Sequence, residues 1–275
     1  MKKGIRVYTE NKNKRKVTMI TAYDYSSARI VAESGIDSIL VGDSLGNVVM
    51  GYETTVPVTM EDMIHHGAAV VRGAGDTMVV VDMPFMSYQG SVYDAVMNAG
   101  RIMKETGCTA VKLEGGVEYA DRIQAIVQAG IPVCAHIGLT PQSVNQMGYK
   151  VQGTDEATAK KLLEDAHAVE KAGAFAVVLE CVPERLAKLV TESLHITTIG
   201  IGAGVYTDGQ VLVFHDMLNY NGNTPAKFVK QFADVHSVIL GALQEYKNEV
   251  ENSEYPSKEY KYGIKDEVLD KIYSN

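Results

Sequence analysis

Short apolar runs recur along the chain, each after a stretch with helical spacing and each ending at an ionisable side chain. The runs at 38–41, 77–81, 110–113, 132–135 and 176–179 end at Gly42-Asp43, Asp82, Glu114, His136 and Glu180. The approaches to them are alike. Glu33-Ser34-Gly35, Glu105-Thr106-Gly107, Gln128-Ala129-Gly130 and Lys171-Ala172-Gly173 each put a glycine where a helix gives way to a β-branched run. Glycine suits the left-handed position that closes a helix. A run apolar on both faces suits a buried parallel strand. The pattern predicts strands near 17–22, 38–41, 77–82, 110–114, 132–136, 176–180 and 197–201, with a short eighth near 210–213. It predicts helices near 25–34, 59–72, 91–106, 118–129, 155–172, 183–193 and 226–250.

Seven or eight strands alternating with helices place the chain in the α/β class as a (β/α)8 TIM barrel, with a doubly wound open sheet as the alternative. No interior linker or low-complexity stretch divides it, so residues 1–275 read as one barrel domain. From about 251 to 275 Glu, Lys, Ser and Tyr dominate, without a clear apolar period until 268–272. That segment reads as a polar C-terminal arm lying on the barrel or on a neighbouring subunit.

In α/β folds ligands collect at the carboxyl ends of parallel strands, where loops and helix N-termini meet. The acids and the histidine gather at that edge. Asp43, Asp82 and Glu114 end three successive strands. Three hard oxygen donors without a matching Cys/His set favour Mg2+ or Mn2+ over zinc. Each acid could instead cap a helix or pair with a buried Lys or Arg. Lys112 and Glu114 are two apart on one strand and share a face. Val111 and Leu113 suit the helix layer, which turns the charged pair into the barrel, as a ligand site or as a buried ion pair. His136 occupies the equivalent place on its own strand. Glu180 follows an apolar strand, where desolvation disfavours a charged carboxylate and suits a general base. Gly200-Ile201-Gly202-Ala203-Gly204 permits close backbone approach to a ligand.

Composition narrows the partners. The chain is 46% hydrophobic and 22% charged with a net charge of −8, a sign opposed to bulk attraction to nucleic acid. Its basic cluster, Lys12, Lys14, Arg15 and Lys16, reads as a solvated N-terminal edge. No apolar run reaches the roughly 18–20 residues of a membrane span, and the basic N-terminus lacks the apolar core of a secretory signal. Cys108, Cys134 and Cys181 are too few and oddly numbered for a disulfide framework. They read as free thiols, and the default location is cytoplasmic.

Longer motifs carry a resemblance. Ile20-Thr21-Ala22-Tyr23-Asp24-Tyr25, Val41-Gly42-Asp43-Ser44-Leu45-Gly46, Asp82-Met83-Pro84-Phe85-Met86-Ser87-Tyr88, Lys112-Leu113-Glu114-Gly115-Gly116, Leu139-Thr140-Pro141-Gln142-Ser143 and Leu179-Glu180-Cys181-Val182-Pro183 resemble the ketopantoate hydroxymethyltransferases. The likeness spans roughly residues 15–256. It implies a (β/α)8 barrel, a single Mg2+ per subunit on Asp43, Asp82 and Glu114, and oxo-acid contacts from Ser44, Lys112 and His136. The resemblance also implies that Asp43 and Asp82 belong to the substrate-binding set. The resemblance makes Glu180 the proton-abstracting carboxylate. It implies one-carbon transfer from the co-substrate 5,10-methylenetetrahydrofolate to 3-methyl-2-oxobutanoate, towards pantothenate and coenzyme A. It also implies a large homo-oligomer, a decamer. The chain departs from the family pattern at Met147, Thr154 and Asn219-Tyr220. The competing readings are a Mg2+-dependent carbon–carbon lyase or mutase of the phosphoenolpyruvate and isocitrate lyase type, and a non-catalytic barrel.

Overall fold

The computed structural model describes residues 4–273. Eight parallel strands close into one barrel in chain order: β1 (Val17–Thr21), β2 (Ser38–Val41), β3 (Met78–Asp82), β4 (Ala110–Glu114), β5 (Val133–Gly138), β6 (Ala176–Glu180), β7 (Thr197–Ile201) and β8 (Gly209–Leu212). β1 pairs in parallel with both β2 and β8, which rules out the open sheet. The helices are α1 (Arg6–Thr9), α2 (Tyr25–Glu33), α3 (Leu45–Val48), α4 (Met60–Gly73), α5 (Val92–Thr106), α6 (Ala120–Gln128), α7 (Val144–Met147), α8 (Glu156–Lys171), α9 (Glu184–Ser193), α10 (Phe214–Met217), α11 (Val235–Glu251) and α12 (Asp266–Tyr273).

Local chemistry sets the boundaries. Thr59 and Asp62 form a reciprocal capping box at the start of α4, and Asp155 with Thr158 does the same for α8. The glycines read as helix stops, Gly35, Gly107, Gly130 and Gly173, all have positive φ, from 73° to 97°. A side chain at those angles would strain the backbone.

The strand period of two then sorts the apolar residues into two cores. Outward-facing Val79, Val81, Val111, Leu113, Val177 and Leu179 pack with Val70, Ile102, Ile126 and Val169 of the helices. Inward-facing Leu40, Met78, Val80, Ala110, Cys134, Ala176 and Val178 fill the barrel. Tyr8 of α1 plugs the barrel's N-terminal end, edge-on to Phe175 and bonded to Ser38 at 2.5 Å. The lumen is therefore mostly apolar below, and its charged side chains collect at the opposite mouth.

As expected, β7 and β8 are joined by residues 202–208 without a helix. The outer ring departs from the expected pattern after β8. The helix expected from 226 begins at Val235, where the Asp234 carboxylate accepts the Ser237 N–H as its cap. The stretch before it is spent elsewhere: Pro225, Ala226, Phe228 and Val229 line the barrel mouth. α11 has no buried residue, and Val238, Ile239, Leu240, Leu243, Tyr246 and Val250 are all exposed. Beyond it, every described residue except the half-buried Leu269 is exposed.

Candidate active site

A cavity of about 390 Å³ opens at the C-terminal mouth, lined by Asp43, Ser44, Asp82, Lys112, Glu114, His136 and Glu180 among others. Register explains the grouping. Asp82 lies beside Lys112 across β3 and β4, and Glu114 beside His136 across β4 and β5. All four continue the inward-facing series of their strands. Asp43 lies just past β2, after Gly42. A Cβ on Gly42 would come within 2.8 Å of the Ser44 hydroxyl and 3.5 Å of Asp82 Oδ2. The missing side chain thus makes room for the acidic cluster.

The contacts are specific. Lys112 Nζ donates to Asp82 Oδ1 at 2.6 Å, both side chains being buried. The lysine's ion pair is therefore with Asp82 rather than Glu114. The Asp43 backbone N–H donates to the other Asp82 oxygen at 3.1 Å. The Tyr23 and Ser44 hydroxyls are 2.8 Å apart. His136 sits between two acids, with Nδ1 3.4 Å from Glu114 Oε1 and Nε2 3.2 Å from Glu180 Oε2. Neither approach is aligned as a hydrogen bond, so both ring nitrogens, although buried, lack a satisfied partner. Buried polar atoms normally find partners, and these two are free to serve a ligand in the cavity.

Acids outnumber bases in this buried site, and their titration is shifted accordingly. Burial, then the charges of Asp82 and Glu114, push Asp43 up to about 8. Burial raises Asp82 too, against the pull of Lys112. For Lys112 burial works against the ammonium, but Asp82, Glu114 and Asp43 outweigh it and hold the group well above its ordinary value. Burial and Lys112 likewise oppose a charged His136, yet Glu114 and Glu180 raise it to about 9. One lysine and one histidine face four acids.

All seven residues expected from the sequence thus converge on one cavity. The setting of Glu180 differs from the expected apolar enclosure: its side chain is 16% exposed and the His136 imidazole is its neighbour. An apolar strand leads up to Glu180 but does not surround it. The sequence reading missed Gln142, whose amide donates to Asp43 Oδ2 at 2.8 Å and whose backbone N–H donates to Glu114 Oε2 at 3.0 Å. It also missed Tyr88, whose hydroxyl donates to the Gln142 carbonyl oxygen at 2.7 Å. Both stood inside quoted motifs, but neutral side chains in loops carry no charge or periodic signal.

The acids were also tested as a metal site. Among the described residues no three His, Cys, Asp or Glu side chains already converge as a ligand set. Asp43 and Asp82 are adjacent, while one oxygen of Glu114 is committed to Gln142. Mg2+ commonly takes one or two carboxylates and fills its remaining positions with water and substrate oxygens. The acidic excess and this donor set fit such a cation.

A closed parallel barrel with buried acids, a lysine and a histidine at its C-terminal edge defines a (β/α)8-barrel enzyme. Within that class the chain belongs to the ketopantoate hydroxymethyltransferase family, whose sequence model matches residues 3–258. It is 58% identical to the 3-methyl-2-oxobutanoate hydroxymethyltransferase of Clostridium novyi (strain NT), over 99% of this chain and 100% of the relative. It is 56% identical to that of Enterococcus faecalis (strain ATCC 700802 / V583), with the same coverage. Among solved structures, a phosphonopyruvate hydrolase superposes with a TM-score of 0.63 at 12% identity, covering 100% of this chain and 96% of that one. A 2,3-dimethylmalate lyase of the PEP mutase/isocitrate lyase superfamily superposes with a TM-score of 0.58 at 17% identity, covering 98% and 92%. These two likenesses show the shared fold. No helix among the described residues is long and apolar enough to cross a membrane.

Proposed function

We propose that the protein transfers a hydroxymethyl group from 5,10-methylenetetrahydrofolate to 3-methyl-2-oxobutanoate, giving 2-dehydropantoate for pantothenate and coenzyme A synthesis. Full-length relatives at 55–58% identity with that activity in their names support the reading. The observation that carries it is the site itself. A 2-oxo acid needs a cationic floor for its oxygens and a base beside C3. Lys112, His136 and Glu180 supply both within one cavity.

Asp43, Asp82 and Glu114 would hold one Mg2+, Glu114 through the oxygen that Gln142 does not engage. A phosphonopyruvate hydrolase of the same fold is known in complex with oxalate and Mg2+, with a TM-score of 0.59 at 11% identity. When bound, the cation supplies Lewis acidity towards the oxygens of the oxo acid. The chain's own groups do the rest. Lys112 Nζ and the Ser44 hydroxyl orient the substrate carboxylate. A His136 nitrogen donates to the keto oxygen, answering its lack of a partner. A Glu180 carboxylate oxygen removes the C3 proton. Lys112 and His136 then stabilise the negative charge that spreads onto the substrate oxygens. The C3 carbanion attacks the one-carbon methylene in its iminium form. Water completes the hydroxymethyl group, and tetrahydrofolate leaves.

The test is proton exchange. In D2O with Mg2+ and no folate, 3-methyl-2-oxobutanoate should exchange its C3 proton for deuterium, followed by NMR. Absence of exchange would overturn the proton-abstraction step. Product formation should then require methylenetetrahydrofolate, and cleavage of an oxo acid without folate would favour the lyase reading.

We also propose a cytoplasmic homo-oligomer of this chain, of decameric size, without nucleic-acid or membrane partners. The exposed apolar face of α11, with Ile239, Leu243, Tyr246 and Val250 at helical spacing, supports contact with a second copy. Sedimentation at micromolar concentration should give a mass far above the 29.9 kDa monomer. A monomer would refute the assembly.

A further inference from the structure

Gln142 lies just beyond β5, after Thr140-Pro141, and is buried. Each hydrogen-bonding position of its side chain is used. The amide nitrogen donates to Asp43 Oδ2 at 2.8 Å and to the Met83 carbonyl at 2.9 Å. The amide oxygen accepts from the Tyr88 hydroxyl at 2.7 Å and from Gln89 Nε2 at 3.1 Å. The backbone N–H donates to Glu114 Oε2 at 3.0 Å. Tyr88 closes the network by accepting the Glu114 backbone N–H at 3.1 Å.

The direction of the amide is fixed. A main-chain carbonyl can only accept, so the NH2 end must face Met83, and its second hydrogen falls on Asp43. One residue therefore ties the loops after β2, β3 and β5 to the end of β4. It holds one oxygen from each of two acids that repel each other, Asp43 and Glu114. The hydrogen bond to Asp43 occupies Oδ2 and leaves Oδ1 for another partner. Groups that orient metal-ligating carboxylates in this way change metal affinity and activity by about 10- to 100-fold when removed.

We infer that Gln142 is a positioning residue for the divalent cation: it fixes the Asp43 and Glu114 carboxylates in the orientation that binds the metal. The inference rests on the reading of Asp43, Asp82 and Glu114 as the cation site. It assigns no contact between Gln142 and the substrate.

The experiment titrates Mn2+ into the full-length protein and reads free Mn2+ by electron paramagnetic resonance, in wild type, Gln142→Met and Tyr88→Phe. Gln142→Met keeps the side chain's length and removes all four of its hydrogen bonds. Its Mn2+ Kd should rise by about 10- to 100-fold. Excess Mn2+ should restore most of the C3 exchange rate, because the base is untouched. Tyr88→Phe removes one of the two donors to the Gln142 carbonyl oxygen and the acceptor of the Glu114 N–H, keeps the amide's bonds to Asp43 and Met83, and should raise Kd several-fold. If Gln142→Met fails to fold, Tyr88→Phe decides. A wild-type Kd in the folded variants, with only a lowered melting temperature, would make the network structural and overturn the inference. Wild-type protein that binds no Mn2+, or that binds it equally well as Asp82→Asn, would overturn the cation site and the inference together. Intact Asp82-dependent binding that is indifferent to Gln142 would overturn the inference alone.

Discussion

The two ends of the barrel treat buried charge in opposite ways. At the N-terminal end each acid has its own cation and its own backbone donors. Asp208 takes Lys12 Nζ at 2.7 Å, the Thr198 N–H at 2.9 Å and the Thr198 hydroxyl at 3.0 Å. Asp37 is gripped by both terminal nitrogens of Arg15, at 2.7 and 2.8 Å, and by Thr18. At the C-terminal mouth, Asp43, Asp82, Glu114 and Glu180 share one lysine and one histidine. The lower end is a closed set of pairs that fastens β1, β2, β7 and β8. The upper end has more acids than bases, a donor set that suits a cation and an anionic substrate. In barrels of this type the lower face serves stability and the upper face chemistry, and here the difference is visible in how the ions are matched.

Substitutions at the two ends should therefore fail in different assays. The largest effect belongs to Glu180→Gln, which keeps the volume and removes the basic oxygen. C3 exchange should slow by about 100- to 10,000-fold, while Mn2+ and oxo-acid binding persist. A wild-type exchange rate would move the base to His136, and loss of metal binding would move Glu180 into the cation site.

Asp208→Asn at the opposite end should leave exchange per folded molecule unchanged and cost about 3 kcal/mol of stability, because it strands the buried Lys12 charge. Denaturant unfolding measures this. A loss of activity without a loss of stability would erase the division between the two ends.

Mg2+ should stabilise the protein, by about 2.7 kcal/mol at 100-fold excess over its Kd, and more at pH 8.5 than at pH 6. The sign follows from Asp43. Its folded-state value, about 8, lies above the ordinary 3.8. Its contribution to stability is thus complete below about pH 3.8 and is lost as pH rises through about 8, when burial forces a repelled charge on the site. A cation relieves that cost most where the charge is present. Equal thermal shifts at both pH values would remove Asp43 from the cation site.

The smallest effect is at Asp37. Burial alone would raise its carboxyl, but Arg15 and Thr18 outweigh burial and lower it to about 2. This contribution is present above about pH 3.8 and lost as pH falls through about 2. Asp37→Asn should cost about 1 kcal/mol at pH 7, the pair being screened at a half-exposed Arg15, and almost nothing at pH 2. A cost that persists at pH 2 would mean that packing, not charge, holds this corner.

Much of this was legible before any coordinates. The apolar run at 176–179 and the glycines at 35, 107, 130 and 173 set strand and helix limits to within a few residues, because both act through the local backbone. The alternation Val111, Lys112, Leu113, Glu114 turned the charged pair inward for the same reason. The helix expected from 226 was not legible as a covering for the mouth. Its apolar residues fit either a helix face or a cavity wall, and contact with the barrel decides between them. Helical spacing likewise did not reveal that α11 would leave its own barrel uncovered.

The sequence by itself determined the alternation of strands and helices, the edge at which the chemistry gathers, and the residues facing it, since each follows from periodicity along a single strand or helix. The pairing of β1 with β8 closed the barrel. Only the tertiary structure decided which charges meet. Lys112 pairs with Asp82 and not Glu114, and His136 stands between Glu114 and Glu180. Gln142, 99 residues from Asp43, holds one of its oxygens. Such pairings depend on strand register and loop closure across the barrel. The electrostatic and hydrogen-bonding energies that set the site's charge act through space, over a few ångströms, whatever the separation along the chain.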